Sequence, residues 1–167
     1  FKYKKNNLTN NITILQLSDD QINGILRIPN KIDGNEVTRI GGSLGKNSKV
    51  TEVILPINIE NISDVAFSEL DNLAQIEVSE LNEQYSSDDG ILYNKEKTKL
   101  IAFPKAKKVE EYYIEENVKE IGEYAFYKNS KTKKVYVSEK LEKIAQTAFE
   151  QMDGDIYIKE NSKVKSI

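Results

Sequence analysis

Val118-Lys119-Glu120-Ile121-Gly122-Glu123-Tyr124-Ala125-Phe126 is followed by Leu141-Glu142-Lys143-Ile144-Ala145-Gln146-Thr147-Ala148-Phe149, and the two stretches are copies of one pattern. Ile59-Glu60-Asn61-Ile62-Ser63-Asp64-Val65-Ala66-Phe67 is a third copy. Val37-Thr38-Arg39-Ile40-Gly41-Gly42-Ser43-Leu44 is a worn copy, one residue short, and Lys163-Val164-Lys165-Ser166-Ile167 reads as the start of another. Such self-similarity marks a repeat architecture: one unit cannot bury its apolar residues alone, and stacked units bury them against each other.

A second element follows each copy. Nine and eleven residues beyond Phe67 lie Ile76 and Val78, and the same step from Phe126 reaches Val135 and Val137. Leu44 leads likewise to Val53 and Leu55, while the step from Phe149 is two residues shorter and reaches Ile156 and Ile158. Apolar, any, apolar is the mark of a strand with alternate side chains buried. Further strands of this kind fit Leu26-Arg27-Ile28, Ile101-Ala102-Phe103 and Tyr112-Tyr113-Ile114, and Pro29, Pro56 and Pro104 follow where a missing N–H does least harm.

Each unit of about 22 to 25 residues is therefore expected to form one coil, carrying a short strand, a turn and the Ala-Phe segment. The fold class is a β-rich α/β solenoid with a parallel sheet of short strands, one per coil, all seven side by side, and short helical turns at Ala-Phe. Val37/Ile40, Ile59/Ile62, Val118/Ile121 and Leu141/Ile144 should face inward on another wall, and Phe67, Phe126 and Phe149 should be buried at equivalent places. Residues 86–100 read as a hairpin-like variant coil turning at 94–98. Residues 1–24 form an N-terminal flank, in which Ile12, Ile14, Leu15 and Leu17 suit a strand covering the end of the solenoid; residues 25–167 are the solenoid itself, a single domain cut within a repeat. The opening at Phe1, with no leader-like segment, suggests a piece of a longer chain.

Composition excludes several functions. The 167 residues carry a net charge of −3, with 38% hydrophobic and 31% charged residues, and lysines and acids are interspersed rather than blocked. That balance predicts no nucleic-acid binding, and no apolar run is long enough to insert in a membrane. With no Cys and no His, disulfides, thiolate chemistry and the common zinc sites are absent. Gly41-Gly42-Ser43-Leu44-Gly45 matches the nucleophile-elbow pattern of serine hydrolases, but a histidine base is missing and the stretch coincides with a repeat position. The acidic pairs Asp19/Asp20, Asp88/Asp89, Glu110/Glu111 and Glu115/Glu116 lack calcium-loop spacing and read as solvated surface.

At the repeat residues the sequence resembles the BspA-like leucine-rich repeat family, whose hallmark is an Ile-Gly-x-x-Ala-Phe segment followed by a Leu-x-x-Val-x-Ile-Pro strand. Ile121 to Phe126 match that segment in full. Asp89-Gly90-Ile91-Leu92-Tyr93, running on to Leu100-Ile101-Ala102-Phe103-Pro104, resembles a variant unit of the family, and Ile28 to Thr38 resemble its opening unit. Two features depart from the pattern: the usual Cys after Ala-Phe is absent, and Thr132 stands where Leu is expected. The resemblance implies a right-handed leucine-rich-repeat-like solenoid, a bacterial surface or secreted setting, and adhesion or protein binding. It carries no shared catalytic residues, metal or cofactor.

Between the buried pair of each expected strand sits an outward residue: Arg27, Ile54, Glu77, Ala102, Tyr113, Tyr136 and Tyr157. The last three place tyrosines on consecutive coils, with Glu111, Lys134 and Asp155 two positions earlier and hence on the same face. Such a row either stabilises the sheet or forms an aromatic contact stripe. The expected function is a non-enzymatic, cell-surface or secreted module that binds a protein or glycan of a host or neighbouring cell through these six residues. The alternative is a structural spacer or targeting repeat of a larger cell-wall-associated protein.

Overall fold

The repeated apolar pairs build two walls. The computed structural model describes residues 1–18, 22–47, 49–159 and 163–164; the Asp19/Asp20 pair and the last three residues of the expected final repeat start, 165–167, lie outside them. Among the described residues the strands are β1 (Lys2–Lys5), β2 (Ile12–Gln16), β3 (Gly24–Arg27), β4 (Lys31–Ile32), β5 (Asn35–Ile40), β6 (Val50–Leu55), β7 (Asn61–Ile62), β8 (Gln75–Val78), β9 (Tyr85–Asp88), β10 (Ile91–Asn94), β11 (Lys99–Ala102), β12 (Glu111–Tyr113), β13 (Glu120–Ile121), β14 (Lys134–Val137), β15 (Lys143–Ile144) and β16 (Asp155–Ile158).

The first wall carries the apolar-x-apolar strands, paired parallel as β3-β6-β8 and β12-β14-β16. Leu26, Val53 and Ile76 stand in register and are buried, while Arg27, Ile54 and Glu77 share the outer side. The second wall carries the short pairs, as β2-β5-β7 and β11-β13-β15, with Ile14, Ile40 and Ile62 in one column and Leu100, Ile121 and Ile144 in the other. The Ile12–Gln16 strand thus belongs to this wall, and β1 lies antiparallel outside it as the edge. In β16, Ile156 and Ile158 face inward by register but stay exposed, because no described strand pairs with its far edge.

The expected single row of seven strands is broken at the hairpin. Strand β10 pairs antiparallel with both β9 and β11, and its two faces are buried in different cores. Leu92 packs into an N-terminal cluster with Val53, Leu55 and Ile76, whereas Ile91 and Tyr93 pack into a C-terminal cluster with Phe126, Val135 and Ile121. The strand is an internal partition. Tyr93 closes it against the first wall through a 2.8 Å hydroxyl–hydroxyl hydrogen bond to Tyr112, and burial pushes the Tyr93 phenol up to about 12.

This geometry moves Ile101-Ala102-Phe103 to the other wall. The apolar-x-apolar-Pro pattern matches a first-wall strand, but antiparallel pairing with β10 carries β11 onto β13, so Ala102 drops out of the outward row. Phe103 takes an Ala-Phe station instead: its N–H donates to Ala125 O at 2.8 Å, as Phe126 N–H does to Ala148 O at 2.7 Å.

Those bonds also explain why the Ala-Phe segments are turns and not the expected helical turns. An α-helix needs each carbonyl for the N–H four residues on. Here the Ala66, Ala125 and Ala148 carbonyls are taken by the adjacent coil, through Leu44, Phe103 and Phe126 N–H, leaving only local three-residue closures such as Ala125 N–H to Gly122 O. Phe67 and Phe126 are buried as expected. Phe149 is only half-buried, with Phe126 stacked on it.

Candidate functional site

The outer side of β12-β14-β16 brings the six expected residues together. Strand register places Glu111, Lys134 and Asp155 in one row and Tyr113, Tyr136 and Tyr157 in the next. The inward neighbours Val135 and Val137 are fully buried, so the pleat fixes the tyrosines outward. Because parallel strands lie about 4.8 Å apart, aromatic rings one strand apart are held at stacking distance. Tyr113 and Tyr136 stack with centroids 4.5 Å apart and planes 9° from parallel; Tyr136 and Tyr157 follow at 5.0 Å and 22°.

Exposure is uneven along the stack. Tyr113 is 62% exposed and Tyr157 43%, while Tyr136 is half-covered between them. Desolvation, followed by the charge of Glu111, holds the Tyr136 phenol above its ordinary value of 10.0, so it is a neutral hydrogen-bond donor at physiological pH. None of the three hydroxyls has a hydrogen-bond partner among the described residues. In the flanking row Lys134 Nζ turns to Glu111, at 2.6 Å, which raises the lysine pKa, and Asp155 forms no ion pair among the described residues. The stripe therefore offers a neutral pair, one unpaired carboxylate, and ring edges with free hydroxyls.

The Gly41 to Gly45 stretch has a local structural role. Ser43 Oγ accepts the Gly45 N–H at 3.1 Å, Gly45 has φ +91, and Leu44 is fully buried. A Cβ on Gly41 would come within 2.6 Å of Thr13 Cγ2, so a glycine is required for close packing of β2 on this turn.

One polar constellation escaped the sequence reading. Lys4, Thr13, Arg39 and Asn61 come into direct register across β1, β2, β5 and β7. No spacing in the sequence links them, since an antiparallel edge strand and a β-bulge set the register. The period-two pattern Ile12-Thr13-Ile14 was the available signal, because it turns Thr13 away from its buried neighbours.

Comparisons with known proteins agree with this geometry. The model of the BspA type leucine rich repeat region matches in six copies, over residues 7–111 and 38–167. Among solved structures, the chain is similar to a leucine-rich repeat protein from Eubacterium ventriosum, at 26% identity and TM-score 0.69 over 85% of this chain and 41% of that one. It is similar to the pneumococcal vaccine antigen PcpA, at 26% identity and TM-score 0.64 over 83% of this chain and 40% of that one. A leucine rich cell surface protein from Faecalibacterium prausnitzii shares the fold at 19% identity and TM-score 0.61, over 87% of this chain and 43% of that one. The chain thus spans about two fifths of the length of these three structures. No curated protein matches the sequence.

Proposed function

From the premise that this chain belongs to the BspA-type leucine-rich repeat family, we propose that it is a non-catalytic binding module of a bacterial surface protein, with Tyr113, Tyr136 and Tyr157 as its contact stripe. The observation that carries this reading is the outward three-ring stack, whose hydroxyls have no hydrogen-bond partner among the described residues. Solvated aromatics held rigid by their neighbours lose little entropy on contact and are favoured at interfaces. Stacking also narrows the partner. Both faces of Tyr136 are covered by its neighbours, so a sugar ring finds open aromatic faces only at the ends of the stack. A partner protein, reading ring edges and hydroxyls and flanked by Glu111, Lys134 and Asp155, fits better than a glycan.

A surface or secreted setting is supported by the similarity to a vaccine antigen and to a cell surface protein. The non-catalytic reading rests on the sequence, which lacks His and Cys, and on Ser43, whose hydroxyl serves its own turn. No cofactor enters the proposed role.

The test is binding of the wild-type chain and of a Tyr113→Ser/Tyr136→Ser/Tyr157→Ser variant to a panel of purified extracellular-matrix proteins and cell-wall glycans. Wild type should bind at least one protein of the panel, and the variant, folded by circular dichroism, should lose that binding. Full-strength binding by the folded variant places the contact elsewhere. Covalent labelling of Ser43 by a fluorophosphonate probe would overturn the non-catalytic reading.

A further inference from the structure

The second wall carries a feature of opposite character at its N-terminal end. A groove of about 440 Å³ is lined by Lys4, Lys5, Asn6, Thr13, Arg39 and Gly41, within the size range of small-ligand sites. No carboxylate and no large apolar side chain is among them. The nine ion pairs among the described residues all fall between Asp71 and Lys159, so on a chain of net charge −3 Lys4, Lys5 and Arg39 stand exposed with no ion-pair partner among those residues. The nearest acid along β5, Glu36, lies in register with Lys31.

The groove also contains an unpartnered polar side chain. Thr13 is only 9% exposed, yet its hydroxyl forms no hydrogen bond among the described residues. Its methyl packs against Gly41, and it sits between Lys4 and Arg39 in direct cross-strand register. The hydroxyl is not sealed in the core, so it is open to solvent on the groove and can donate to a partner from outside the protein.

We propose that this groove binds the sulfate or phosphate groups of an anionic glycan. The Arg39 guanidinium provides a planar fork suited to an oxyanion, the Thr13 hydroxyl donates to it from the floor, and Lys4 and Lys5 neutralise it from the edge strand. The all-polar lining suits a ligand that is hydrophilic throughout. The absence of an aromatic ring from the lining removes the base-stacking platform that single-stranded nucleic acids use. The site lies on a different wall from the tyrosine stripe and stands independently of it.

Titration calorimetry on the whole chain in about 50 mM salt tests this, a concentration at which surface charge is little screened. The probes are a heparin tetrasaccharide, a glycerol-phosphate oligomer, oligo-dT and poly-glutamate. At least one of the first two should bind, which also identifies the source as sulfate or phosphate. Arg39→Ala and Lys4→Ala/Lys5→Ala should each weaken that binding roughly tenfold or more, as for loss of a charged hydrogen-bonding group. Thr13→Val keeps the shape and all charges and should still weaken it about threefold, which a diffuse basic patch would not show. Arg39→Glu, at an exposed position that leaves the core untouched, should abolish it. The Tyr113/Tyr136/Tyr157 triple variant should bind both glycans as wild type does. No binding of either glycan, unchanged affinity in Arg39→Ala or Thr13→Val, or equally tight binding of oligo-dT or poly-glutamate would overturn the proposal.

Discussion

Phe103 lies on Phe126 with ring centroids 4.8 Å apart and planes 19° from parallel, and Phe126 lies on Phe149 at 4.9 Å and 20°. The three rings form a column inside the C-terminal half, with Tyr112 tilted against the first two. Phe126 is its fully buried centre. Truncation to Ala removes contacts with both neighbouring coils, so Phe126→Ala should cost about 3–5 kcal/mol. Phe149→Ala, at the half-buried end, should cost less. Denaturant melts of both variants check the order, and an unchanged midpoint for Phe126→Ala would contradict the shared column.

Thr132 occupies the station that Leu73 holds in an earlier coil, each three residues before an inward strand residue, Val135 or Ile76. Both sites are buried, but Thr132 Oγ1 has no hydrogen-bond partner among the described residues. The Thr132 N–H is satisfied by Asn129 Oδ1 at 2.8 Å and does not depend on the side chain. Thr132→Val keeps the shape and removes the orphan hydroxyl, so it should stabilise the chain by about 1 kcal/mol. A fall in melting temperature would show that the hydroxyl is hydrogen-bonded in solution.

How much of this was legible in the sequence differs from wall to wall. The inward pairs Val118/Ile121 and Leu141/Ile144 and the tyrosine row follow from a repeat that returns each residue type to the same place one coil later. The displacement of Phe103 does not, because Ala102-Phe103-Pro104 has the same local pattern as a first-wall strand and only pairing with β10 decides its wall. Buried Asn82 was equally hidden. Hydropathy marks asparagine as surface, whereas this side chain donates to Pro56, Ile57 and Ile59 carbonyls and accepts Gln84 and Tyr85 N–H. The cationic row was missed because its register comes from an edge strand outside the repeat.

Glu120 links three strands of the second wall, accepting from Lys99 at 2.9 Å and Lys143 at 3.2 Å. Burial alone would raise its pKa; the hydrogen bonds and charges of the two lysines outweigh that and leave it below the ordinary 4.5. A carboxyl held lower in the folded state stabilises the fold above its unfolded pKa, and that contribution is lost as pH falls through the folded value. Glu120→Gln should therefore lower stability near neutral pH, by no more than about 1 kcal/mol for a partly exposed cluster. Urea midpoints of the two proteins should converge as pH is lowered below the ordinary carboxylate range. A gap that persists in acid would assign the effect to packing.

The tyrosine stack should couple its neighbours and nothing further. Tyr113 and Tyr136 touch, as do Tyr136 and Tyr157, whereas Tyr113 and Tyr157 are separated by a whole ring. Double-mutant cycles with Ser should give about 0.5–1 kcal/mol of favourable coupling for each touching pair, at the low end for aromatic contacts because the rings are exposed. The Tyr113/Tyr157 cycle should give none. Tyr136→Phe keeps the stack and removes one hydroxyl, so stability should hold while partner binding weakens if that hydroxyl is part of the contact. A Tyr136→Phe variant that binds at full strength would limit the contact to ring edges, and zero coupling in both touching pairs would leave the stack with no stabilising role.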